Sequence, residues 1–154
     1  MDLAPDFDEF IGSLLAHGVE FMIVGAYALA VHGAPRFTGD LDVFVNPTIE
    51  NGSRLLEAVQ AFGFPVVDLQ PRDIVDGGRL LEMGVVPVQI HVMSAISGVS
   101  WDEARADQVV ARCGTHEVAF IGRISFIRNK RAAGRLKDLA DVEAVEPPKD
   151  SGGA

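Results

Sequence analysis

One stretch, Glu20 to Pro47 (EFMIVGAYALAVHGAPRFTGDLDVFVNP), constrains the fold more than any other part of the chain. Glu20–Val24 is a short apolar run, read as a buried strand, and Gly25 breaks it. Ala26–His32 is rich in small residues and suits a short helix packed closely on a sheet; Gly33, Ala34 and Pro35 end it. Leu41–Val45 reads as a second strand, entered through Asp40. Successive side chains on a strand point to opposite faces, so Asp40 and Asp42 project from one side and Leu41 and Val43 from the other, into a core. Two like charges held side by side repel. A cation between them is the usual remedy, and oxygen-only pairs suit Mg²⁺.

The flanking sequence supplies the rest of a domain. Asp6–His17 carries apolar residues at helical spacing, among them Phe7, Phe10, Ile11, Leu14 and Leu15, with Gly18 as a stop. Asn46-Pro47 places a cap residue before proline and opens a helix that runs to about Phe62, ended by Gly63. Gly52 weakens its first turn. Pro71–Asp76 is one helical turn closed by Gly77-Gly78. Arg79–Met83 and Val86–Met93 are two strands joined at Gly84; the second sets Gln89, His91 and Met93 on one side and Val88, Ile90 and Val92 on the other. Ser100 to Glu103 has the capping-box pattern of a helix start, and Trp101 anchors that helix in the core. Gln108–Arg112 and Glu117–Ile121 form a strand pair around Cys113-Gly114-Thr115. Arg123–Ala133 and Leu136–Val145 are helices. Residues 147–154 are a polar tail, expected to be disordered.

Mixed strands and helices of this kind define an α/β (α+β) class with a mixed sheet and helices packed mainly on one face. The 154 residues suit one domain, residues 1–146, and can bury a sizeable core. No apolar run approaches the about 20 residues of a membrane helix. The acidic start MDLAPDFDEF lacks a basic signal region, so a cytoplasmic location is expected. A single cysteine, Cys113, excludes an internal disulfide framework and a cysteine-rich zinc site. Net charge is −9, which argues against broad attraction to nucleic acid. The bases are unevenly spread, however. Arg123, Arg128, Lys130, Arg131, Arg135 and Lys137 cluster together, either as a solvated helix face or as a phosphate-contacting patch.

A D-x-D alone is weak, but its context favours a metal–phosphate site over a solvated edge. The strand is packed on one side, Arg36 and Thr38 lie just upstream, and a glycine turn opens a helix where backbone N–H groups can approach a phosphate. The pattern of apolar strand, Gly25 with a small neighbour, short helix and then Asp40-Leu41-Asp42 resembles the nucleotidyltransferase superfamily, the DNA polymerase β-like fold. RFTGDLDVFVNP, VPVQIHVMSAISGVSWDEA and IRNKRAAGRLKDLADVEAV resemble a small bacterial nucleotidyltransferase-like family allied to AbiEii-type toxins. The likeness extends over nearly the whole chain.

That resemblance implies a transfer of a nucleoside monophosphate from an NTP to a hydroxyl of a protein, an RNA or a small molecule. It implies Asp40 and Asp42 as holders of Mg²⁺ (or Mn²⁺), Gly25 and Ala26 as phosphate contacts, and an antitoxin, other acceptor protein or RNA as partner. Arg36, Thr38, Lys130 and Lys137 are further nucleotide-binding candidates. Two departures stand out. The family turn is usually Gly-Gly or Gly-Ser, and here it is Gly25-Ala26. The third catalytic acid of the family is replaced by His91. A neutral imidazole brings one lone pair and no negative charge, making it a poorer ligand for Mg²⁺ and a better one for Zn²⁺ or Mn²⁺. It can also serve as a general base. Glu82 substitutes for the acid only if its strand neighbours the second. The alternative is a nucleotidyltransferase-fold module that has lost catalysis and binds a nucleotide or a partner protein.

Overall fold

The structure is a computed structural model, and it describes residues 3–35, 39–66, 68–85 and 88–146. The expected tail, residues 147–154, lies outside them, as do Arg36 and Thr38. The order of elements is α1 (Pro5–Ala16), β1 (Phe21–Val24), α2 (Gly25–Val31), β2 (Asp40–Val45), α3 (Ile49–Phe62), α4 (Pro71–Asp76) and β3 (Arg79–Val85). It continues with β4 (Val88–Met93), α5 (Trp101–Asp107), β5 (Val109–Cys113), β6 (His116–Phe120), α6 (Arg123–Ala133) and α7 (Leu136–Val145). The strands form one mixed sheet in the order β3-β4-β2-β1-β6-β5.

The apolar runs account for the middle of that sheet. All four residues of β1 are buried. It lies antiparallel to β2 and parallel to β6. The short helix between β1 and β2 therefore makes no parallel crossover. Instead β4, far along the chain, pairs parallel with β2 on its other side. Alternation along β2 holds as the sequence predicts: Leu41 and Val43 are fully buried, while Asp40 and Asp42 stay partly exposed on the opposite face. The core takes Phe7, Phe10, Ile11 and Leu14 from α1 and Leu55, Ala58 and Val59 from α3. Trp101 anchors α5 as expected, edge-on to Phe44 with ring centroids 5.2 Å apart.

Three local readings change. Gly25 does not stand between strand and helix; it is the first residue of α2, at φ +71°. Asn46-Pro47 does not cap α3. Thr48 does, its side chain accepting from the Asn51 N–H at 3.1 Å. Asn46 is drawn into a buried polar knot instead. The Asn51 amide donates to the carbonyls of Glu20 and Asn46, at 3.0 and 2.9 Å, and accepts the Glu20 N–H at 2.7 Å. Asn51 is buried, and its amide ties the entrance to β1, at Glu20, to the exit of β2, at Asn46. Gly84 does not end its strand either, because β3 continues to Val85 and Gly84 pairs with Gln89. Gly52 has a packing reason the sequence conceals: a Cβ there would lie 2.8 Å from the Pro71 carbonyl oxygen and 2.9 Å from Ile74, so α4 could not sit against α3. The capping box of α5 forms as read, with Ser100 and Glu103 bonding each other's backbone N–H groups at 3.1 and 3.0 Å.

Candidate active site

Parallel pairing of β2 with β4 sets Asp42 directly opposite His91, and antiparallel pairing of β4 with β3 sets His91 opposite Glu82. Residues opposite one another on adjacent strands share a face. The result is a row of three side chains across three strands. His91 Nδ1 lies 3.1 Å from Asp42 Oδ1, and His91 Nε2 lies 3.1 Å from Glu82 Oε1. Gln89 Oε1 is a second neighbour of Nε2 at 3.4 Å. The His91 side chain is 13% exposed and Glu82 47%. Glu82 therefore does not stand beside β2; the intervening strand carries His91, and Glu82 meets the imidazole rather than the aspartate pair.

The other flank of Asp42 is Gly25. A Cβ at that position would run into the Asp42 carboxylate. Two demands thus meet at Gly25: a left-handed φ and the close approach of an acidic side chain. The sequence suggests that the glycine makes room for a phosphate. In the structure it first makes room for Asp42.

These residues open on a cavity of about 680 Å³, within the usual size of small-molecule sites. It gathers Gly25, Ala26, Asp40, Asp42, His91, Lys130 and Lys137, so every described candidate from the sequence reaches one place. Burial pushes the Asp42 carboxyl above its ordinary value of 3.8; attraction to His91 only partly offsets this, and Asp40 adds to the rise. A cation delivered to this wall would relieve both the burial cost and the mutual repulsion of the aspartates. Among the described residues no three His, Cys, Asp or Glu side chains form a ready metal cluster. An ion that arrives on a triphosphate needs only one or two protein carboxylates, so the pair fits that mode of binding.

The basic cluster is mostly neutralised within the protein, which favours the structural alternative over the phosphate-contacting patch. Arg128 pairs with Glu103 at 2.7 Å, and Arg131 with Glu146 at 2.5 Å. Asp138, fully buried at the start of α7, accepts from Arg135 Nε at 2.6 Å and from Lys130 Nζ at 3.4 Å. Lys130 also lies 3.7 Å from Asp141 and 5.6 Å from the Phe126 ring centroid. Sequence spacing allows Arg135 or Lys137 as a partner of these acids; Arg135 does pair with Asp138, and Lys130 stands where Lys137 would. Lys137 has no ion-pair partner among the described residues and lines the cavity. Ser97 and Asn129 also line it, joined by a 3.0 Å bond from the Asn129 amide to the Ser97 carbonyl. They lie far apart in sequence, and no motif marks them. His32 does not line the cavity; its Nε2 lies 2.8 Å from the Ile121 carbonyl oxygen. Cys113 is buried, and burial pushes its thiol up to about 11, in keeping with a packing role.

A strand presenting two carboxylates beside a glycine-led helix, with a basic helical pair across a cavity, defines a nucleotidyltransferase-like architecture. Sequence comparison finds no matching protein-family model and no matching curated protein. Solved structures do match the fold. The crystal structure of ANT(2″)-Ia in complex with adenylyl-2″-tobramycin superposes with a TM-score of 0.56 at 12% identity, over 90% of this chain and 84% of that one. The solution structure of the antibiotic-resistance factor ANT(2″)-Ia gives 0.54 at 10% identity, over 91% and 80%. TM1012 of Thermotoga maritima, provisionally assigned as a nucleotidyltransferase, gives 0.51 at 12% identity, over 89% and 86%. The chain therefore has the nucleotidyltransferase fold.

Proposed function

We propose that the protein is a metal-dependent nucleotidyltransferase that moves an NMP from an NTP to a hydroxyl group. The observation that carries this is the convergence of Gly25, Asp40, Asp42 and Lys137 on one cavity. Phosphoryl transfer asks a protein for positioning and charge neutralisation rather than covalent chemistry. Asp40 and Asp42 are the residues to hold Mg²⁺, which when bound neutralises the triphosphate and polarises its α-phosphorus. Lys137 offers three N–H donors to phosphate oxygens from the opposite wall. Lys130, tied to Asp138 and Asp141, sets the position of α6 against α7 more than it contacts ligand. The acceptor oxygen attacks the α-phosphorus, pyrophosphate leaves, and the acceptor's proton passes to a nearby base. ANT(2″)-Ia is in complex with adenylyl-2″-tobramycin, and an acceptor hydroxyl of some kind is carried over from it by analogy of fold.

The finer reading, a toxin of the AbiEii-allied type with an antitoxin or RNA as partner and a cytoplasmic site of action, rests on the sequence resemblance alone. One observation favours the second reading, a nucleotide-binding module without catalysis: both nitrogens of His91 already face carboxylates. Binding itself is tested by calorimetry. We expect NTP to bind in the presence of Mg²⁺, with affinity lost in EDTA and lowered about tenfold by Lys137→Ala, the worth of one charge-assisted bond. Failure of the wild type to bind any of the four NTPs removes both readings. Equal affinity of Lys137→Ala and wild type removes Lys137 from the site.

A further inference from the structure

Part of the cavity lining has no task in phosphate or metal binding. The turn after β4 and the C-terminal half of α6 bring Met93, Ile96, Ser97, Asn129 and Ala133 to the same space. The turn is pressed onto the helix. Gly98 stands at φ +73°, and a Cβ there would lie 2.5 Å from Ala132 Cβ and 3.4 Å from the Arg128 carbonyl oxygen. Glycine meets both the backbone angle and the close approach. The contact brings the Ser97 carbonyl to the Asn129 amide at 3.0 Å. A carbonyl oxygen only accepts, so Asn129 must present Nδ2 to it, and the orientation of the amide is fixed. Oδ1 is then the free acceptor of a half-buried side chain, with no hydrogen-bond partner among the described residues.

We propose that Asn129 Oδ1, positioned by the Ser97 carbonyl, accepts a hydrogen bond from the exocyclic amine of adenine and selects ATP over GTP. The proposal rests on nucleotide binding at this cavity, which both readings of the function share, and it names the base. No Phe, Tyr or Trp lines the cavity among the described residues. Stacking on an aromatic ring, which tolerates any base, is therefore not what those residues offer. The edge of the base decides instead. Adenine carries an N–H donor at position 6, where guanine carries an acceptor oxygen. An oriented acceptor bonds the first and faces a second acceptor in the other. The cations that could rescue a guanine oxygen are engaged, because Asp138 holds both Lys130 and Arg135. Cytosine also carries an amine, but a purine buries more apolar surface against Met93, Ile96 and Ala133.

The test is calorimetry on the full chain with Mg²⁺ and four probes: ATP, inosine triphosphate, purine riboside triphosphate and inorganic tripolyphosphate. Inosine has an oxygen at position 6, and purine riboside has no substituent there. The wild type is expected to bind ATP about five- to tenfold more tightly than purine riboside triphosphate, the worth of one hydrogen bond. Inosine triphosphate should bind more weakly still, because it leaves two acceptors face to face. In Asn129→Ala the three nucleotides converge, while tripolyphosphate binds as it does to the wild type. Gly98→Ala, which displaces the turn, should narrow the gap between ATP and inosine triphosphate. Equal binding of those two by the wild type, or a preference for inosine, overturns the proposal with no variant needed and leaves nucleotide binding standing. A gap that persists in Asn129→Ala overturns it as well, and so does a loss of tripolyphosphate affinity in that variant. A wild type that binds none of the four probes removes the nucleotide reading together with the base.

Discussion

Asp42→Asn is expected to abolish NMP transfer and at the same time to stabilise the fold. The substitution keeps the size of the side chain and an oxygen that can still face His91. It removes the negative charge that holds the cation. Loss of a group that stabilises transition-state charge in a closed site lowers the rate by about 10³-fold or more, roughly 4 kcal/mol. The stability effect has the other sign. Burial and Asp40 raise the Asp42 carboxyl in the folded protein, so the folded state binds a proton more readily than the unfolded chain does. The contribution of Asp42 to stability is therefore fully present below the ordinary aspartate value of 3.8 and is lost as pH rises through the raised folded value. Asparagine does not ionise and escapes that loss. Thermal unfolding at neutral pH should show a higher Tm for the variant, with the gap closing under acid conditions. A site held under strain for chemistry behaves this way. A variant that loses activity and stability together would mark Asp42 as a structural residue.

Asp138→Ala should have the largest effect on stability. Asp138 is fully buried, joined to Arg135 and Lys130, and bonded to the Arg135 N–H at the start of α7 at 3.2 Å. Removing one member of a buried ion pair costs about 3–5 kcal/mol because the partner is left uncompensated. Arg135 is 62% exposed and can turn to solvent, while Lys130, at 12%, cannot turn as easily. A loss of about 2–4 kcal/mol follows once the exposed partner is discounted. Burial acts to raise the Asp138 carboxyl, but the Arg135 hydrogen bonds and the charges of Lys130 and Arg135 outweigh it and hold the group below 3.8. A depressed carboxyl contributes stability above its unfolded value and loses it as pH falls through the folded value. Urea unfolding of wild type and Asp138→Ala should therefore differ most near neutrality and least in strong acid. A constant difference across that range would contradict the ion-pair account.

The opening stretch was legible in sequence because its two periods differ. Small residues at Ala26–His32 suit a close-packed helix beside the apolar runs on either side, and the alternation of Asp40 to Val43 sets the acid face without further information. The capping box at Ser100 and the buried Trp101 were local too, and local chemistry is what a sequence displays. The partner of a strand is not. Nothing in QIHVM says that β4 lies between β2 and β3, so Glu82 could not be placed opposite His91. The same limit left the reading of the basic residues open between two alternatives. Arg128, Arg131 and Lys130 look available for phosphates until Glu103, Glu146 and Asp138 are brought to them by folding. Gly25 was recognised for its turn, and its closeness to Asp42, far along the sequence, needed the fold.

The account stands on nucleotidyl transfer at the Asp40–Asp42 wall, and one experiment reaches it directly. Wild type and Asp40→Ala are incubated in lysate with Mg²⁺ or Mn²⁺ and with NTPs labelled at either the α- or the γ-phosphate. The prediction is label on an acceptor from the α-position only, in the wild type only, because pyrophosphate carries the γ-label away. Equal and negligible α-label from the two proteins, in conditions where NTP is shown to bind, would contradict it and leave a binding module in its place.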